Sequence, residues 1–245
     1  MNAMLNVFVD IWDKFYKCFL RYDTWKMYLL GLRNTLIIAL GACLLGLVIG
    51  IVVTAIRIAP KNNPFLKFLD WICNLYVTII RGTPVVLQLF ICYFGLLAVI
   101  RDLSFFGLEE TSGVYVAIAT FGLNSGAYMS EILRGGINSV DKGQIEAARS
   151  LGLNWMQTFI KIILPQALRI AIPTMFNEFI TLIKETSVAG YVGIVDLTKI
   201  QSYVSVQALE LFMPLVIIAV IYLILVLGLQ EVQKYIERRL ARSDR

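Results

Sequence analysis

A handful of polar residues stand inside otherwise apolar stretches, and they are the ones that could do chemistry. Asn124, Tyr128 and Glu131 recur at i, i+4 and i+7, so a helix over Val114–Leu133 carries them on one face. Further along, Asn177 and Glu178 follow Pro173, where a broken helix frees backbone groups that can meet a ligand. Charges within a membrane are expensive and persist where they line a path or pair with one another. The face of Asn124, Tyr128 and Glu131 therefore looks into a solute pathway, or else Glu131 pairs with Arg134 or Arg81; both readings stay open. Glu178 is suited to hold an amino or other cationic group by a charge-assisted hydrogen bond, and Arg81 or a freed helix N-terminus to hold a carboxylate. Lys184 and Glu185 read as a gate or a salt-bridged corner near the outer face, with plain structure as the alternative.

Other chemistries fall away. The 245 residues contain no histidine, which removes the commonest metal ligand and the usual near-neutral proton carrier. Cys18, Cys43, Cys73 and Cys92 form no C-x-x-C pair, and the last three lie in or beside apolar runs where a thiol behaves as a small hydrophobe. There is no P-loop, no H-E-x-x-H and no dinucleotide fingerprint, so the chain has no means of its own to hydrolyse ATP. The net charge of +5 comes from Lys and Arg at the ends of apolar segments rather than from one basic stripe, which argues for membrane topology and against nucleic acid.

The elements that must position these residues are membrane spans. Hydrophobic side chains make up 58% of the chain and charged ones 16%, too apolar for a water-facing surface. Thr35–Ile56 runs 22 residues without a charge, enough to cross about 30 Å of hydrocarbon. Gly41, Gly46 and Gly50 in it offer small-residue contact with a neighbouring helix. Pro60 and Pro64 then turn the chain out of the membrane. A second apolar region covers Phe65–Ile100, interrupted at Arg81-Gly82-Thr83-Pro84; a third span is Val114–Leu133; a fourth starts near Pro165; a fifth is Leu211–Gln230. The expectation is an all-α integral membrane protein with a five-helix bundle.

Basic residues choose its orientation. Arg57, Lys61 and Lys67, then Arg134, Lys142, Arg149, Lys161 and Arg169, then Lys234, Arg238, Arg239, Arg242 and Arg245 fall on one side, the cytoplasm. Arg101, Asp102, Glu109 and Glu110 suit the outside. The N-terminus is then outside and the C-terminus cytoplasmic, although the residues before Thr35 carry five Lys or Arg against three Asp. Residues 1–28 read as an amphipathic interfacial helix leading into the first span, 29–232 as the membrane domain and 233–245 as a basic tail.

The loop after span three is the most informative stretch. Gln144–Leu151 is a short helix with Ala147 and Ala148 facing a neighbour, Gly152 permits a left-handed turn, and Trp155–Ile163 is a second helix that Pro165 closes or restarts. Such a hairpin suits docking into a partner's groove. Glu146-Ala-Ala-Arg-Ser-Leu-Gly152, followed nine residues later by Ile162-Ile-Leu-Pro165, resembles the EAA loop of membrane subunits of type I ABC importers. Gly31-Leu-Arg-Asn-Thr-Leu36, Arg81-Gly-Thr-Pro-Val-Val-Leu-Gln88, Tyr128-Met-Ser-Glu131-Ile-Leu-Arg134-Gly-Gly-Ile and Ile183-Lys-Glu-Thr-Ser187 narrow the likeness to the polar amino acid branch. Val188 departs from a commoner Leu, and the segment before Gly31 is unusual for that branch.

The resemblance implies a MetI-like permease fold in a bacterial inner membrane, a non-catalytic subunit with no cofactor of its own. ATP and Mg would be bound by a partner ATPase present in two copies, docked on Glu146, Ala147, Ala148 and Gly152 of the coupling helix. It further implies a second permease subunit, identical or sister, and an extracytoplasmic amino acid binding protein. Arg81, Thr83, Gln88, Asn124, Tyr128, Glu131, Asn177 and Glu178 would line the substrate pathway, with Lys184, Glu185, Thr186 and Ser187 at a gate. The alternative is an ion-coupled secondary transporter or channel for small polar solutes, which needs no docking hairpin. A membrane enzyme lacks a catalytic constellation.

Overall fold

The structure, a computed structural model, describes residues 2–96 and 112–242, and these are helical with short connections. The acidic loop expected outside, with Arg101, Asp102, Glu109 and Glu110, and the tail end at Arg245 lie outside the described residues. In chain order the helices are α1 (Asn2–Phe15), α2 (Thr24–Ile58), α3 (Pro64–Gly82), α4 (Val85–Phe90, continued to Leu96 as a π-helical turn) and α5 (Ser112–Asn138). After them come α6 (Lys142–Ser150), α7 (Trp155–Thr158, continued to Ile163), α8 (Leu164–Glu185), α9 (Leu197–Ala208) and α10 (Phe212–Arg242).

The N-terminal segment does not run straight into the first span. Tyr22 and Asp23 adopt φ of 62° and 56°, a left-handed region that costs residues with a Cβ about 1–2 kcal/mol each. They reverse the chain. Phe19 stacks on Tyr28 with 5.8 Å between ring centroids, whereas nine residues of straight helix would part them by about 13.5 Å. The fold-back buries Cys18 and Tyr28 among Leu197, Ile200 and Val204 of α9, and the Thr24 hydroxyl donates to the Cys18 carbonyl at 2.9 Å. The helix that contains the expected first span thus starts at Thr24. At the other end α10 continues to Arg242, so the basic tail is the last turns of the fifth span's helix and not a separate piece.

Helix α5 sits at the centre. It buries Val116, Ala117, Thr120, Phe121, Asn124, Ser125, Ala127, Met129 and Ser130, and α2, α3, α4 and α8 all pack on it. By length and composition the helices over Leu5–Ile58, which include α2, over Trp155–Val192, which include α7 and α8, and over Phe212–Leu240 of α10 can each cross a membrane, and the α3–α4 pair makes a fourth span if taken as one. α5 is more polar than these, and its Thr120, Asn124, Ser125 and Ser130 are buried against protein. The expected small-residue contact is present: a Cβ on Gly50 would stand 2.6 Å from Met129 Cβ, and one on Gly46 would stand 2.8 Å from Ser125 Cβ. Such proximity lets the Thr54 hydroxyl donate to the Ser130 carbonyl at 3.0 Å.

Of two expected helix breaks, one is present. The second apolar region is interrupted where expected: α3 and α4 meet at 108°, because Pro84 lacks an N–H and Thr83 and Pro84 are extended. By contrast α8 continues through Pro173, so the helix there is not broken, and the Pro173 carbonyl receives Gln233 of α10 at 3.4 Å.

Candidate solute pathway and coupling hairpin

The polar face of α5 is where the structure concentrates its side-chain chemistry. Asn124, Tyr128 and Glu131 do share a face, and that face meets the α3–α4 elbow. Asn124 is 3% exposed and its amide donates to Gln88 Oε1 at 3.0 Å. The Arg81 guanidinium lies 5.2 Å from the centre of the Tyr128 ring and 3.8 Å from Glu131. Glu131 also accepts from Arg134 at 2.6 Å and from Arg57 of α2. Of the two readings of Glu131, pairing with arginines is the one the geometry realises. Arg57 is the residue that sequence reasoning missed; it stands at the end of an uncharged run and reads there only as a topology marker. Thr83 is exposed at the elbow, donating to the Ile79 carbonyl at 2.8 Å and accepting from Gln88 at 2.9 Å.

On α8 the candidates separate by face. Glu178 is half-buried and within electrostatic reach of Glu185 and Arg81, while its neighbour Asn177 is exposed. Arg81 thus pairs with Glu131 of α5 and lies within electrostatic reach of Glu178 on α8. Lys184 is exposed and Glu185 half-buried, as adjacent helical positions must diverge. Thr186 is fully buried and its hydroxyl caps the Ile183 carbonyl at 2.8 Å, whereas Ser187 is half-buried.

The hairpin forms as its spacing requires. Asp141 accepts from the Gly143 N–H to start α6, Gly152 takes φ +82° at the apex, and Asn154 and Gln157 make a reciprocal capping box that starts α7. Glu146, Ala147 and Gly152 are exposed, and Leu151 beside the apex is 84% exposed. Ala148 differs. At 5% exposure it faces inward, against its own chain, so it builds the hairpin instead of its outer surface.

At the opposite end the Gly31–Leu36 element finds its use. Asn34 donates to the Val195 carbonyl at 2.7 Å, the Thr35 hydroxyl accepts from Leu197 N at 3.1 Å, and a Cβ on Gly31 would stand 2.9 Å from the Asp196 carbonyl. Together they pin the start of α9 to α2.

Residues 46–242 match the family of binding-protein-dependent transport system inner membrane components, and the chain belongs to that family. It is 38% identical over 214 residues to the arginine transport system permease protein ArtQ of Bacillus subtilis (strain 168), covering 87% of this chain and 92% of that one. With the putative glutamine transport system permease protein GlnP of Rickettsia bellii it shares 39% identity over 210 residues, 86% of this chain and 91% of the relative. Among solved structures, the crystal structure of an amino acid ABC transporter with histidines superposes with a TM-score of 0.76 at 30% identity, over 87% of this chain and 94% of that one. An inward-facing MetNI methionine ABC transporter gives a TM-score of 0.72 at 20% identity over 90% and 99%, which shows the shared fold. The chain is accordingly a multi-pass permease of the inner membrane, and the expected all-helical MetI-like fold is the one observed.

Proposed function

We propose that this permease carries polar amino acids inward as the membrane subunit of an ABC importer, with ATP and Mg bound and ATP hydrolysed on a separate ATPase present in two copies. The observation that carries this reading is the projecting α6–α7 hairpin, whose apex offers Glu146, Ala147, Leu151 and Gly152 to a partner. The relatives named for arginine and glutamine transport support the substrate class. Closure of the two ATPases draws two such hairpins together, one from each of two permease subunits, and the bundles turn from inward- to outward-facing. A loaded extracytoplasmic binding protein then delivers the amino acid to the end bearing the N-terminal segment and α9, while the C-terminus lies in the cytoplasm.

Within the pathway Arg81 holds the α-carboxylate by its exposed guanidinium edge, and Glu178 holds the α-amino or a cationic side-chain group. Tyr128 backs Arg81, Asn177 and Thr83 add polar edges, and Gln88, Asn124 and Glu131 keep the elbow in place. Lys184, Glu185, Thr186 and Ser187 form the outer gate at the end of α8. Co-purification with the cognate ATPase, followed by ATP hydrolysis across a panel of amino acids with a loaded binding protein, tests this. Stimulation by a subset of polar amino acids is the expected result. Uptake by the chain alone under an ion gradient, with no ATPase bound, would replace this reading with that of a secondary transporter.

A further inference from the structure

The elbow between α3 and α4 holds a polar network that no step of transport has yet used. The break at Thr83-Pro84 removes the helical partners of the last α3 carbonyls. One side chain meets two of the carbonyls around the break. Gln88, 9% exposed, directs its amide nitrogen to the Ile80 carbonyl at 2.8 Å, the Thr83 carbonyl at 3.1 Å and the Thr83 hydroxyl at 2.9 Å. Its carbonyl oxygen accepts from Asn124 of α5 at 3.0 Å. Both ends of this amide are occupied, so Gln88 is closed to a solute, and Asn124 is 3% exposed with its amide N–H turned to Gln88.

Arg81 sits between the two capped carbonyls. Its guanidinium meets α5 at Tyr128 and Glu131, one and two turns beyond Asn124. The Gln88–Asn124 bond and the Arg81–Tyr128 contact are thus two teeth of one register between elbow and α5. We propose that Gln88 is a positioning residue: by capping Ile80 and Thr83 and gripping Asn124, it sets where the Arg81 guanidinium stands and hence the affinity for the solute carboxylate. This rests on Arg81 being the carboxylate contact. A glutamate at position 88 has no donor for three oxygens, and a methionine keeps the shape but neither donates nor accepts as an amide does.

The test uses the full chain with its ATPase in nanodiscs. Q88M removes caps and grip together; N124A removes the grip and leaves every cap, and carries the test should Q88M not assemble. Two quantities are read: the 15N–1H resonance of Arg81 Nε, identified by its absence in R81K and shifted by the Tyr128 ring, and the half-saturating amino acid concentration. Both variants are expected to move the resonance toward its solvent position and to raise half-saturation about tenfold, as losing one hydrogen bond to a charged group would, with the maximal rate held within about twofold. Q88M is expected to add nothing on an R81K background. An unmoved resonance in both variants overturns the positioning role whatever transport does, and so does an additive effect in the double variant. A moved resonance with half-saturation unchanged in Q88M, N124A and R81K keeps the positioning and overturns Arg81 as the carboxylate contact.

Discussion

Arg57, in the last turn of α2, donates to Glu131 on α5, and the two side chains are only 14% and 19% exposed. Arg134 and Arg81 converge on the same carboxylate, so one acid ties together α2, α5 and the end of α3. A partly buried charge held by several partners stabilises through what its loss exposes: three guanidinium groups left without their shared acid, of which Arg57 is the one largely shielded from water.

Glu131→Gln should therefore cost about 2 kcal/mol of stability, seen as a lowered melting temperature in nanodiscs. Arg57→Gln should cost less, because Arg134 and Arg81 still neutralise the acid. Unchanged melting in the Glu131 variant together with altered amino acid selectivity would return Glu131 to the pathway.

The α2–α5 contact discriminates between glycines. A Cβ at Gly50 meets Met129 Cβ at 2.6 Å and backbone atoms of Met129 and Ser130 at 3.1–3.2 Å, so Gly50→Ala must push the helices apart and should cost about 1–3 kcal/mol. At Gly41 the nearest atoms belong to the Ile118 side chain at 3.1–3.3 Å, which can turn away, and Gly41→Ala should melt within a few degrees of the parent. Equal losses at the two sites would refute this packing.

Labelling separates the two sides of the α6–α7 hairpin. On a cysteine-free background, Leu151→Cys should react with a soluble maleimide about tenfold faster than Ala148→Cys, since one side chain is 84% and the other 5% exposed. Adding the ATPase should protect position 151. Persistent rapid labelling at 151 in a purified complex would place the docking surface elsewhere.

Asp196, the cap of α9, brings a pH dependence. Its Oδ1 accepts from Lys199 N at 2.7 Å, and its buried Oδ2 has no hydrogen-bond partner among the described residues. Burial pushes the carboxyl above its ordinary value, against the opposing bonds from Lys199 and Thr198. A group that holds its proton more tightly when folded stabilises the fold below its unfolded pKa and loses that contribution as pH rises through the folded one. Melting temperature should fall as pH climbs from about 4 toward neutrality, and Asp196→Asn should flatten the slope and match or exceed the parent at neutral pH. Identical pH profiles for the two proteins would remove Asp196 as the cause.

Local patterns carried much of this molecule. Uncharged runs marked α2 and α10, since bilayer thickness translates directly into residue count, and the hairpin announced itself through Gly152 and Pro165, both local effects on the backbone. The i, i+4, i+7 spacing put Asn124, Tyr128 and Glu131 on one face for the same reason. What that face meets was decided only by tertiary packing: Arg57 lies 74 residues from Glu131 and Gln88 lies 36 from Asn124, separations at which no spacing rule operates. The reversal at Tyr22-Asp23 was likewise invisible, because left-handed backbone at residues with a Cβ is unfavourable locally and is held there by the burial of Cys18 and Tyr28 against α9, far along the chain.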